Sequence, residues 1–222
     1  MRHCRYAVCE QITMPNNYNS IAGSYDTLSR IVFQRSIIKA QQYLIEFITD
    51  NNKVLLVGGG TGWILEEISK MKRKNISVVY VEKSSKMIEL SKKRNYKNIK
   101  VDFIQAAIET YKTDERFDVI ITPFLFDNFI EKRIQYVFKK LDELLKQKGF
   151  WLYADFVNDK TNKKAWQQYL LKTMYLFFRL TAKIETQELI DMRAYFIEKY
   201  VLISQQLYYK HFIQAIAYRK IK

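Results

Sequence analysis

Lys53-Val-Leu-Leu-Val-Gly-Gly-Gly-Thr-Gly62 is the stretch on which the reading of this chain turns. Residues 53–57 form a short aliphatic run of the kind that fills a fully buried strand. Four of the six glycines in the chain follow it within five residues: Gly58, Gly59, Gly60 and Gly62. Glycine accepts positive φ and lets another molecule approach the backbone. The helical pattern over 64–72 then adds the unpaired N–H groups of a helix start. The segment therefore predicts a strand, a ligand-holding loop and a helix; the alternative is a tight turn without a ligand, for which one or two glycines suffice. Counting six positions from Gly58 reaches Trp63, and from Gly60 it reaches Leu65, so the G-x-G-x-x-G dinucleotide pattern fails. No Lys-Ser or Lys-Thr follows the glycines, which removes the phosphate-cradling loop. A nucleotide cofactor without phosphates suits the loop better.

Working outward, strand patterns at 76–81, 99–104, 117–122 and 150–156 alternate with helical patterns at 29–49, 64–72, 85–94 and 131–148. Ser84 is the expected cap of the third helix and Gly149 the expected stop of the fourth. This alternation predicts an α/β fold with a parallel sheet, helices on both faces and right-handed crossovers. After Asp155 the pattern changes to helices at 163–180 and 186–197, then strands at 200–209 and 212–219 that close the chain as an antiparallel hairpin, seven strands in all. Without a repeat or linker, the organisation is a flexible segment over 1–17 and one domain over 18–222. Within it, 18–50 form a helical lid, 53–157 the cofactor-binding core, and 158–222 the substrate-side helices and hairpin. Glu82 ends the second strand, 20 residues after Gly62, where a carboxylate can accept both ribose hydroxyls. Its alternative is a surface residue capping the next helix beside Ser84.

The 222 residues are 48% hydrophobic and 27% charged, a globular composition. The net charge is +14, and residues 160–222, with 12 Lys and Arg against four Asp and Glu, carry +8 of it. That portion is the candidate surface for phosphates or an anionic membrane; the competing reading is Lys scattered over solvated helices, since no block of like charge stands out. Cys4 and Cys9 lack metal-ligand spacing and read as reduced thiols, and no metal is implied. Residues 1–15 lack a signal-peptide run, and the most apolar stretch, 169–182, is short and broken by Lys172 and Arg179. The expected location is the cytoplasm, with contact at the inner face of a membrane as its extension.

Five segments carry a family resemblance. Val54-Leu-Leu-Val-Gly-Gly-Gly-Thr-Gly62 resembles the first motif of class I S-adenosylmethionine methyltransferases, Val79-Tyr-Val-Glu-Lys-Ser-Ser-Lys-Met87 the second, and Phe117-Asp-Val-Ile-Ile-Thr-Pro123 the fourth. Leu145 to Phe156 resembles the strand that follows, and Tyr25-Asp-Thr-Leu-Ser29 is similar to the segment opening ubiquinone and menaquinone C-methyltransferases. The resemblance covers about residues 20–157 and implies a Rossmann-like methyltransferase fold. It places S-adenosyl-L-methionine against Val57, Gly58, Gly59, Gly60, Thr61, Gly62, Glu82, Lys83, Met87, Gln105, Ala106, Ala107 and Thr122. Two positions depart from the family: Leu56 stands where the first motif usually carries an acid, and Ala107 where the third does. Adenine recognition then falls to backbone groups, Gln105, and packing from Met87 or Ile108.

Methyl transfer requires a nucleophilic atom held in line with the sulfonium methyl group, and a base helps where the acceptor is a phenol or enolate. Ligands gather at the carboxyl ends of the strands, which makes Asp127 the first base candidate and Asp155 the second. Asp127 reads alternatively as an N-cap. Tyr18, Tyr25, Phe124 and Trp166 are the candidate acceptor contacts, with Phe33 beside them, and His211 reads as a solvated turn residue. The apolar stripe of 163–180 packs on the sheet or, alternatively, serves as a lid or interfacial helix. The expected activity is O- or C-methylation of a small lipophilic or aromatic acceptor. An RNA methyltransferase is the alternative that charge favours, although no RNA-binding module is present. A non-catalytic scaffold is the alternative that Leu56 and Ala107 motivate.

Overall fold

The computed structural model describes residues 35–157, 169–173 and 189–221, together with residues 19, 22, 33, 166 and 167. Helix α1 (Ser36–Ile45) leads into β1 (Lys53–Val57), α2 (Trp63–Lys70), β2 (Ser77–Glu82), α3 (Ser85–Lys92) and β3 (Lys100–Gln105). Then come β4 (Phe117–Pro123), a 3₁₀ turn (Phe126–Asn128), α4 (Glu131–Leu144), β5 (Leu145–Phe156), α5 (Arg193–Phe196), β6 (Tyr200–Tyr208) and β7 (Ile213–Lys220). The strands form one seven-stranded sheet in the order β3-β2-β1-β4-β5-β7-β6. Strands β1 to β5 are parallel, whereas β7 runs antiparallel to both β5 and β6. This is the expected mostly parallel sheet with a closing hairpin.

The central strands are apolar throughout because both faces are covered. Alternate residues of β1 divide between the two cores: Val54 and Leu56 meet Leu44 of α1 and Ile64 and Ile68 of α2, while Leu55 and Val57 meet Ile134, Val137 and Leu141 of α4. The strand order reverses at the β1–β4 junction, which opens a crevice beyond the carboxyl ends of those two strands. The glycine loop after β1 and the 3₁₀ turn after β4 both lie at this edge. A buried ion pair, Arg133 with Glu109, ties the segment after β3 to α4, and the Arg133 guanidinium lies 3.8 Å over the Phe129 ring.

Three boundaries differ from the sequence reading. The fourth helix ends at Leu144, four residues short of the expected 148, because Leu145 already pairs with Phe117. The register then shifts so that Phe150 faces Val119, with Lys148 at φ 62°. Gly149 is therefore a strand residue, not the helix stop, and a Cβ there would fall 2.9 Å from the Asp118 carbonyl oxygen. The described part of the 186–197 pattern is helical only over Arg193–Phe196, where Phe196 stacks on Tyr218 at 4.0 Å and meets Trp151 edge-on at 5.1 Å. The first helix ends at Ile45, four residues short of the expected 49, and Phe33 ahead of it is also helical. Of the 163–180 pattern, residues 166, 167 and 169–173 are helical. The segment over 1–17, Cys4, Cys9 and most of the lid over 18–50 that precedes α1 lie outside the described residues.

Buried Lys220 closes the carboxyl end of α4. Its Nζ donates to the carbonyl of Asp142 at 2.5 Å and lies 3.0 Å from the Asp142 carboxylate, which also accepts from Lys199 and Tyr200, each at 2.7 Å. Burial acts to raise the Asp142 carboxyl, but these donors outweigh it and hold the group below the usual carboxylate range. Lys220→Met is expected to lower unfolding free energy by about 2 kcal/mol, since it takes one of three donors from a buried carboxylate and a donor from the helix-end carbonyl of the same residue. Denaturant titration reads this directly.

Candidate active site

The glycine loop is shaped by what packs behind it. Gly58, Gly60 and Gly62 all have positive φ. Gly59 and Gly62 are glycine for want of room: a Cβ at Gly59 would lie 2.5 Å from the Tyr80 ring, and one at Gly62 would lie 2.4 Å from Ser91 Cβ. Gly60 differs, because among the described residues none beyond its chain neighbours lies within 4 Å of its missing side chain. Its open side is where a ligand can reach the backbone. Gly62 is the left-handed cap residue of α2 and offers no side chain to the helix start.

Glu82 is buried at the end of β2. It accepts the Gly60 N–H at 3.2 Å and the Ser84 N–H at 2.8 Å, and acceptor capacity remains on the carboxylate. Burial pushes its carboxyl above the usual range, opposed by these N–H donors. Ser84 caps α3 as expected, accepting the Met87 N–H at 3.2 Å and donating to Asn19 Oδ1 at 2.6 Å. Lys83 is half-buried, and Met87 is buried at the first turn of α3. Gln105 lies exposed opposite Glu82 in the β2–β3 ladder. Ala106 donates its N–H to the Glu82 carbonyl at 3.1 Å, and the Ala107 carbonyl accepts the N–H groups of Thr110 and Tyr111.

Other expected contacts face elsewhere. The Thr61 hydroxyl and carbonyl accept from Arg94 at 3.1 and 3.0 Å, so that side chain is turned behind the loop. The Thr122 hydroxyl accepts the Trp151 indole N–H at 3.0 Å within the core on the α4 side, the side on which Val57 is also buried. Tyr18 and Tyr25 lie outside the described residues.

Two carboxyl groups meet across the crevice. Asp127 sits in the 3₁₀ turn, and its backbone N–H donates to Asp155 Oδ2 at 3.2 Å. Asp155, at the end of β5, also accepts the Phe156 N–H at 2.8 Å. Asp127 is not the cap of α4, since Ile130 holds that position; its Oδ1 accepts from Asn128 Nδ2 at 2.6 Å. Burial raises both carboxyls, Asp155 to about 7, and the nearby Asp155 charge pushes Asp127 well above its ordinary value. Backbone donors favour the charged form of Asp155, so it releases its proton first. Beside the pair, Phe124 takes up a left-handed backbone at φ 53°, and a chain of rings runs from it. Phe124 meets Phe156 at 5.3 Å, Phe156 meets Phe212 at 5.2 Å, and Phe212 meets Trp166 at 5.8 Å, with Phe33 5.3 Å from Phe156. Phe124 and Trp166 thus share one aromatic wall. His211 lies in the hairpin turn, with φ 69°.

Residues 54–149 match the family model described as a methyltransferase domain. Over that stretch, a little under half of the chain, the sequence is similar to S-adenosylmethionine-dependent methyltransferases. It is 29% identical over 149 residues to demethylmenaquinone methyltransferase of Thermotoga maritima, covering 66% of this chain and 62% of that one. It is 28% identical over 145 residues to malonyl-[acyl-carrier protein] O-methyltransferase of Priestia megaterium, covering 65% and 52%. The chain therefore spans between about half and three-fifths of the length of these relatives. The N-methyltransferase NodS of Bradyrhizobium japonicum, solved with S-adenosyl-L-homocysteine, superposes with a TM-score of 0.63 at 9% identity, covering 84% of this chain and 86% of that one. The matched region takes in the glycine loop, Glu82 and Asp127, while Asp155 and the aromatic wall from Phe156 onward lie beyond it. Leu56, at the first position departing from the family pattern, is fully buried in the core on the α2 side.

The sequence reading missed Tyr80 and Arg94, the two side chains that hold the loop from behind. Strand parity carried a signal for Tyr80, which shares a face of β2 with Glu82. Nothing local pointed to Arg94.

Proposed function

We propose that this chain transfers the methyl group of S-adenosyl-L-methionine to oxygen or carbon of a small, lipophilic or aromatic acceptor in the cytoplasm. The observation that carries the reading is Gly60: among the described residues none beyond its chain neighbours lies within 4 Å of its missing side chain, and its N–H is paired to a buried carboxylate at the end of the next strand. This arrangement fits a ribose resting on Glu82 beside an approachable backbone. S-adenosylmethionine bound there would supply an electrophilic methyl group to an acceptor lone pair, with S-adenosylhomocysteine as the leaving group. The Asp127–Asp155 pair receives the acceptor proton, and the wall of Phe124, Phe156, Phe212 and Trp166 holds an apolar ring against the crevice. Val57, Gly58, Gly59, Thr61, Gly62, Lys83, Met87, Gln105, Ala106, Ala107 and Thr122 shape the cofactor side through backbone and packing.

Calorimetry with S-adenosylmethionine and S-adenosylhomocysteine tests the cofactor reading, and methylation assays on phenols and quinone precursors test the acceptor. No binding at millimolar ligand by the folded chain would replace the enzyme with a scaffold. Affinity is expected to fall on acidification, because the raised Glu82 carboxyl takes up its proton and ceases to be a pure acceptor; a flat pH profile would remove Glu82 from the ribose. The net charge of +14 favours RNA as a second acceptor class. That reading requires binding that weakens steeply with salt. Among the described residues no helix is long and apolar enough to cross a membrane, and any contact of the basic C-terminal portion with anionic lipid is peripheral.

A further inference from the structure

Among the described residues, none beyond its chain neighbours lies within 4 Å of where a Gly60 side chain would be, so contacts of that kind do not set its backbone. Two hydrogen bonds do. Its N–H donates to Glu82, and its carbonyl accepts the Tyr80 hydroxyl at 2.6 Å. Tyr80 and Glu82 are two residues apart on β2 and share its face. The Tyr80 ring is buried under Gly59 and packs on Phe103 at 5.2 Å, with the hydroxyl carried to the loop at the ring's far end. Burial holds the phenol neutral and therefore able to donate.

We propose that Tyr80 is a positioning residue for the cofactor, acting through Gly60 on Glu82. The inference rests on the cofactor reading above. A planar peptide turns as one unit. Fixing the Gly60 carbonyl against β2 therefore limits how far the loop can rotate and keeps the Gly60 N–H aimed at Glu82. That bond in turn orients the carboxylate that meets the ribose. Without the hydroxyl, a glycine free to visit both signs of φ would have to be ordered when the ligand arrives, and affinity would carry that entropy.

The test is a set of binding titrations with S-adenosylhomocysteine on wild type, Tyr80→Phe, Glu82→Gln and the double variant. Tyr200→Phe serves as a control because it removes another buried hydroxyl, the one donating to Asp142 at the far end of the sheet. Tyr80→Phe keeps the ring and is expected to weaken binding about tenfold, about 1.4 kcal/mol, while Tyr200→Phe binds as wild type does. The double variant is expected to bind no more weakly than Glu82→Gln alone, the coupling that a shared path produces. Tyr80→Phe binding within twofold of wild type, equal weakening in Tyr200→Phe, or additive effects in the double variant would each overturn the inference. Failure of the wild type to bind would instead overturn the cofactor reading beneath it.

Discussion

Gly60→Arg is expected to leave the chain folded and to reduce S-adenosylmethionine binding by about a hundredfold or more, about 2.7 kcal/mol. The residue has φ 60°, a region that costs an L side chain roughly 1–2 kcal/mol. A domain of ordinary stability, about 5–15 kcal/mol, survives that. Among the described residues, none beyond the chain neighbours lies within 4 Å of the new Cβ, so the side chain projects into the space proposed for the ligand. Gly59→Ala and Gly62→Ala should behave in the opposite way: their Cβ atoms would collide with the Tyr80 ring and Ser91, so the fold is damaged before binding can be measured. Thermal melts followed by circular dichroism, paired with calorimetry, separate the two classes. A folded Gly60→Arg chain with wild-type affinity would move the ligand away from the loop.

Asp127→Asn is expected to abolish most turnover while making the protein more stable above neutral pH. In the unfolded chain both carboxyls titrate near their ordinary values, about 3.9. In the folded chain Asp155 holds its proton to about 7 and Asp127 beyond that. Between about pH 4 and 7 the folded state therefore binds more protons than the unfolded state, so the pair's contribution to stability falls as pH rises through that window. Replacing Asp127 with a neutral amide removes that group's own raised carboxyl, while burial still holds Asp155 above its ordinary value. The variant should keep only the Asp155 share of the downward slope and exceed wild-type stability at pH 8. Turnover, in contrast, should fall by roughly 10²-fold or more, the usual effect of removing a general base. Wild-type activity should rise with pH through the neutral range as the pair gives up its first proton. A variant with unchanged stability and turnover would make the pair a bystander.

The alternation of strands and helices was legible because each element announces itself within ten or so residues. Residues 53–57 were read to the residue, and Ser84 was correctly read as a cap, since its hydroxyl needs only the N–H three positions on. The fourth helix was over-extended because Leu145 to Lys148 continues a helical pattern, while Phe117, 28 positions earlier, claims Leu145 for the sheet. Asp127 was read either as a base or as a cap. The turn around Phe126–Asn128 excluded the cap by delaying the helix to Glu131.

The alternation of strands and helices, glycine clustering after an aliphatic strand, and a carboxylate at the end of the next strand are local facts, and from them alone the sequence determined the class of fold and the place of the glycine loop proposed to hold the cofactor. Packing between distant segments settled the rest. It set which glycine is open and which is merely crowded, the meeting of Asp127 with Asp155, the turning of Thr61 and Thr122 into the protein, and the grip of Tyr80 on Gly60. The reason is physical: backbone preference acts over a few residues, whereas burial, register and charge coupling depend on which segments the closed sheet brings side by side.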